Sequence, residues 1–188
     1  IVPGDFTIRG INFYRDNLVV AFDEVTVLLS LGVYTESDHT PTISDVIDQH
    51  GAVSHRTMQS LGDDMLFTDQ VGVPSIRRAL FTGQVTPDRV SQLIDPAIQS
   101  ELRKLSTVAL EDGVFSVYNR RENQYMMFVP NHNDPTKVTE TRCYAYSVIP
   151  ALKVRAWSEY RDWHWASAAR SSTGLVFFSQ KNRIYLYG

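Results

Sequence analysis

Cysteine is nearly absent: Cys143 stands alone among 188 residues. That excludes an intrachain disulfide and a cysteine-rich zinc site, and leaves a buried thiol or an intermolecular bond. Free cysteine packs as a small hydrophobe, so a core position is expected for Cys143. Long apolar runs are missing as well. No window reaches the ~18 continuous apolar residues of a membrane-spanning helix, so stable membrane anchoring is not expected. No basic, apolar, cleavage-site segment opens the chain, and a start at Ile1-Val2-Pro3 without methionine is expected of a processed or excised piece. Charge of one sign never gathers: 18 basic and 21 acidic residues give a formal net charge of -3. Neither a nucleic-acid arm nor a disordered acidic tail is present.

Chemical motifs are equally scarce. The five histidines, His39, His50, His55, His132 and His164, form no His-x-x-x-His pair and no His-Glu-x-x-His. His50 and His55 flank Gly51 at a spacing without meaning on a helix or a strand. No Asp-rich window carries the glycine and glutamate of a calcium loop, and no Gly-x-Ser-x-Gly or phosphate-gripping glycine loop occurs. Carboxylates at Asp63, Asp64, Asp69, Glu111, Asp112, Glu159 and Asp162 are numerous enough for a glycosidase pair. Most sit in turns, where satisfying backbone amides is the cheaper role. No cofactor and no metal are expected, and the chain reads as a non-enzyme.

What is present is alternation. "FTIRGINFYRDNLVVAFDEVTVLLSLG" reads as three strands with turns at Arg15–Asn17 and Asp23–Glu24. A loop and a short helix capped by Thr42 or Ser44 are expected before Gly51. Strands then follow near 53–60, 65–68 and 73–76. Residues 86–105 change period, with Val90, Leu93, Ile94, Ile98, Leu102 and Leu105 at helical steps, so a helical insertion is expected there, opened by Thr86-Pro87 and split near Pro96. Strands 114–118 and 125–129 flank the turn "NRREN". "CYAYSVI" then alternates Cys143, Ala145 and Ser147 against Tyr144, Tyr146 and Val148. Further strands are expected at 163–168, 175–178 and 184–187.

Turns near Asn17, Gln70, Glu122 and Asn182 recur at intervals of 53, 52 and 60 residues. The expectation is an all-β fold: antiparallel meander blades of a β-propeller across residues 1–188, with the helical insertion at 86–105. About four blades fit, so the ring closes within the chain or with sequence outside it; a sandwich is the alternative. Trp157, Tyr160, Trp163 and Trp165 form an aromatic group, and Trp163 and Trp165 are expected to fill space between sheets. Basic residues come in short pairs: Arg77-Arg78, Arg103-Lys104 and Arg120-Arg121.

The order "GAVSHRTMQSLGDDMLFTDQVGVPSIRR", a helical insertion, "FSVYNRRENQYMMFVP", "CYAYSV", a tryptophan segment and "GLVFFSQKNRIYLYG" resembles the tail tubular protein B, or nozzle, family of short-tailed bacteriophages. The likeness runs over residues 50–188 and more weakly over the opening meander. It implies a discontinuous propeller in a sixfold ring beneath the tail adaptor, continuing the channel for DNA ejection and carrying fibres or tip proteins. Its implied partners are other tail proteins, further copies of itself and, transiently and without sequence preference, passing DNA. Its implied location is the virion tail. No nucleophile or metal ligand comes with the resemblance. Arg77, Arg78, Arg103, Lys104, Arg120, Arg121, Trp157, Trp163 and Trp165 are the interface or channel candidates. The competing classes are a propeller that binds or hydrolyses surface polysaccharide, and an adhesion scaffold unrelated to phage.

Overall fold

Strands β1 (Ile8–Tyr14), β2 (Asn17–Phe22), β3 (Val25–Ser30) and β4 (Thr42–Asp48) form a four-stranded antiparallel meander in sequence order. This computed structural model describes residues 6–32, 40–77, 89–134, 140–152, 154–181 and 183–187. The chain divides into two compact units, Ile1–Gln92 and Leu93–Gly188.

The first three strands and both turns fall where the alternation places them. The fourth does not: Thr42–Asp48 is a strand, and no helix forms there. Ile43 opposes Leu29 while Asp45 opposes Leu28, so Ser44 is an extra residue in the ladder. That bulge brings Ile43 and Val46 to one face and leaves Ile47 on the other, imitating helical spacing in the sequence.

Both faces of this sheet are apolar. Tyr14, Val19, Ala21, Leu28 and Ile47 pack beneath Ala52, Met58, Met65, Phe67 and Ile76. The covering segment holds a 3-10 turn at His55–Thr57 and a two-stranded ribbon, β5 (Gln59–Leu61) and β6 (Asp64–Leu66). The expected strand over 53–60 is therefore interrupted, and 73–76 contributes only single bridges, Leu66 to Ser75 and Pro74 to Arg89. Gly10 permits the overlay, since a methyl group there would sit 2.7 Å from Met58 Sδ and 2.8 Å from His55 Cα. Asn12 Nδ2 donates to the Met58 carbonyl at 3.2 Å, and Tyr14 Oη to the Asp63 carbonyl at 2.9 Å, tying β1 to the ribbon. On the opposite face, two cross-strand rows are wholly apolar: Phe13–Leu18–Leu29–Ile43 and Ile11–Val20–Val27–Val46.

The second unit opens with two helices, α1 (Asp95–Leu102) and α2 (Thr107–Gly113). Pro96 sits in the first turn of α1, where its missing N–H costs nothing. Asp95 is the first helical residue, and Ile94 stands at the N-cap position. Residues 91–94 are turn, and the expected start at Thr86-Pro87 lies outside the described residues. Helix α2 was not expected. Ser106 caps it, its Oγ accepting from Ala109 N at 3.3 Å.

Strands β7 (Phe115–Asn119), β8 (Gln124–Pro130), β9 (Thr141–Ile149) and β10 (Val154–Trp163) make a second four-stranded meander, ordered β10-β9-β8-β7. A three-stranded sheet follows: β11 (Ser167–Arg170), β12 (Val176–Gln180) and β13 (Arg183–Tyr187). The strand expected over 163–168 instead straddles the β10–β11 connection. Phe115, Val117, Met126, Phe128, Cys143 and Ala145 pack against Val176 and Phe178 of the smaller sheet. Phe115 and Phe128 stack at 4.7 Å. Cys143 is fully buried among them, as expected, and burial pushes its thiol well up, leaving it unreactive. The described residues thus form four separate antiparallel sheets and two helices, a mixed fold where an all-β one was expected.

Candidate functional site

Strand β10 organises the aromatic and charged groups of the second unit. It pairs with β9 in unbroken register from Val154–Ile149 to Tyr160–Cys143, then shifts before Trp163 meets Thr141. Asp162, at φ +62°, supplies the left-handed residue of this bulge. Regular alternation would send Tyr160 and Trp163 to opposite faces. The bulge puts both on the inner face, where their rings stack at 5.2 Å.

Trp163 also stacks on Phe128 at 5.8 Å, and Trp165 lies on Phe178 at 5.1 Å and 19°. Both tryptophans are half-buried against the core shared by the two sheets, filling space as expected. The indole N–H of Trp165 is buried without a partner. Trp157 parts company with them. It lies on the outer face, 5.1 Å from the Tyr146 ring, in a cross-strand row Trp157–Tyr146–Tyr125–Tyr118 that crosses the whole sheet. The Arg170 guanidinium caps the far end, 5.6 Å from the Tyr118 ring.

Beside that row runs a chain of alternating charge. Lys104 pairs with Glu101 at 2.8 Å, Glu101 with Arg142 at 2.8 Å, Arg142 with Glu159 at 3.2 Å and Glu159 with Arg161 at 3.0 Å. Helix α1, β9 and β10 are joined through Arg142. Hydrogen bonding to Arg161, reinforced by the charges of Arg161 and Arg142, holds the Glu159 carboxyl below the usual glutamate range. The Tyr144 hydroxyl is a buried polar atom beside the Arg142 guanidinium. Burial pushes that phenol above its ordinary value. The arrangement can clamp a helix to a sheet and present Arg155, Trp157, Glu159 and Arg161 along one side of an edge strand.

The basic candidates lie apart in the chain. Arg77 belongs to the first unit and is paired with Asp63 at 2.5 Å, both side chains more than half exposed. Arg78 lies outside the described residues. Arg103 and Lys104 follow the last turn of α1, where Arg103 reaches Gln99 at 3.4 Å. Arg120 and Arg121 occupy the exposed β7–β8 turn, with Arg121 N donating to Asn119 Oδ1 at 3.1 Å.

A buried pair that no sequence motif signals lies in the first unit. His50 and Asp69, each under 5% exposed, meet at 2.5 Å between Nδ1 and Oδ2. Asp69 Oδ1 accepts from Val71 N at 2.7 Å and from Gly72 N at 2.5 Å, while the His50 carbonyl accepts from Thr26 Oγ1 at 2.8 Å. The pair locks the loop around Gln70 to the sheet edge. That loop is built on Asp69, and is no hairpin between two blade strands. His55 is exposed on the 3-10 turn and is not part of the pair. Nineteen residues separate His50 from Asp69, with no motif between them, so no sequence signal joins them. Among the described residues, no group of three His, Cys, Asp or Glu could hold a metal ion.

No protein-family model matches the chain, and no curated protein is significantly similar to it.

Proposed function

We propose that the chain is a mechanical module of a tubular assembly, of the kind the nozzle resemblance implies: part of a virion tail ring through which DNA is ejected. In this reading its meanders are blades of a β-propeller, completed within the chain or by a longer parent. It acts as a non-enzymatic, sixfold homo-oligomer in contact with an adaptor ring and with fibres. One observation carries the reading. Two residue rows on the outer face of the β1–β4 meander, Phe13–Leu18–Leu29–Ile43 and Ile11–Val20–Val27–Val46, are apolar from edge to edge, while its inner face is already a packed core. A blade needs both faces apolar because it packs between neighbours, whereas a free-standing sheet needs only one.

The mild acidity of the chain suits a conduit. With a net charge of -3 it does not trap a passing phosphate backbone, and local pairs such as Arg120-Arg121 give weak, sequence-independent contacts. A second reading, polysaccharide binding, is favoured by the half-exposed Trp157 beside Arg155 and Glu159. Mass photometry of the protein and its longer parent, alone and with tail adaptor rings, tests the first reading. A discrete species near six subunits that joins the adaptor is the expected result. A monomer that ignores adaptor rings overturns it, and glycan-array binding lost in Trp157→Ala would then establish the second.

A further inference from the structure

Strand β10 ends its sheet in the order β10-β9-β8-β7, so one side of its backbone meets no strand among the described residues. Val154, Arg155, Ala156, Ser158 and Glu159 are exposed, and Trp157 and Tyr160 are half-buried. Exposed edges are usually defended by charge, because their free N–H and C=O groups template pairing with another chain. Here the charges do something else.

The regular part of the strand runs from Val154 to Tyr160, where the Asp162 bulge ends it. Its midpoint is Trp157. If an antiparallel second copy pairs about that midpoint, Arg155 opposes the second copy's Glu159, and Glu159 opposes its Arg155. Ala156 opposes Ser158, Val154 opposes Tyr160, and Trp157 opposes Trp157. Every pair is of a favourable kind: opposite charge, small with small, apolar with aromatic, aromatic with aromatic. Moving the centre by one residue, to Ser158, sets Arg155 against Arg161 and loses the match.

We propose that β10 is a self-pairing edge, and that two copies of this chain join their four-stranded sheets into one eight-stranded sheet across a two-fold axis at Trp157. The occupant is a second copy because the strand's own sequence is complementary to its reverse in charge and size. The contact is isologous, whereas a sixfold ring uses a heterologous one, so the proposal stands or falls separately from the tail reading.

Sedimentation velocity of the 188-residue chain from about 1 μM to about 1 mM tests it. A monomer–dimer equilibrium is expected. Arg155→Glu and Glu159→Arg each place like charges opposite one another twice, and each weakens the dimer about tenfold or more. The double variant restores it. Under oxidation Trp157→Cys cross-links to its own copy and Arg155→Cys does not, since only residues directly opposite approach disulfide distance. The fully buried Cys143 stays out of the reaction. A monomer at every concentration overturns the proposal. So does a dimer that is indifferent to the charge exchange or cross-links through position 155.

Discussion

At the scale of the residue, Asp69 is a buried hub of the first unit. It accepts from two loop amides and from His50 at a site that water barely reaches. Asp69→Ala strands all three donors and is expected to cost about 3–5 kcal/mol in urea denaturation. Asp69→Asn keeps an oxygen for the amides, and His50 can switch tautomer to accept from the new amide, so about 1–3 kcal/mol is expected. Asp162 is a different kind of residue, held in place by conformation. Its left-handed backbone is open to Asp and Asn and closed to β-branched residues. Asp162→Asn is expected to be near neutral, whereas Asp162→Val costs about 1–2 kcal/mol of thermal stability. Deleting Asp162 turns Trp163 to the other face, an outcome readable as lost near-UV circular dichroism from the Tyr160–Trp163–Phe128 stack.

At the scale of the element, the ion-pair chain makes the attachment of α1 to β9 and β10 depend on acidity. The Glu159 carboxyl is held below its ordinary range by Arg161 and Arg142, so its contribution is complete above the unfolded glutamate value near ~4.3. It is lost as pH falls through the lower, folded value. Glu159→Gln is therefore expected to lower stability at pH 7 by less than about 1 kcal/mol, as suits a partly exposed pair. Melting curves of the two proteins should converge at strongly acidic pH. Elements with regular alternation were legible in the sequence: β1 to β3, the β7–β8 hairpin and β9. Strands β4 and β10, each bulged within its apolar or aromatic run, were not. Ser44 gives β4 the spacing of a helix, and the break at Asp162 obscures β10 among its aromatics. The tryptophans' inward role could be read from their alternation. The His50–Asp69 pair could not, because only tertiary folding brings its members together.

At the scale of the whole molecule, the second unit has its own core, its own pair of sheets and two helices. Residues 93–188 expressed alone are expected to unfold in one cooperative transition. Cys143 reports directly on that fold: its thiol should resist a water-soluble disulfide reagent until the transition, and immediate labelling would show that the core had not formed. The repeated turns gave the chain its hairpin character. Their near-equal spacing did not mark equivalent units, since the turn near Gln70 belongs to an Asp-centred loop while those near Asn17 and Glu122 begin hairpins.

In each of the four sheets the order of strands in space follows their order along the chain. Among the described residues no strand has to wait for a distant partner. Closing a short loop costs little entropy, and topologies rich in local pairings fold fast. The β1–β4 meander can therefore assemble on the ribosome before β7 has been synthesised, and the second meander can follow it in turn. A protein destined for many copies in one assembly would gain from this. Each apolar face would spend little time beside an unfinished neighbour, and mispairing between nascent chains would be limited by the speed of local closure.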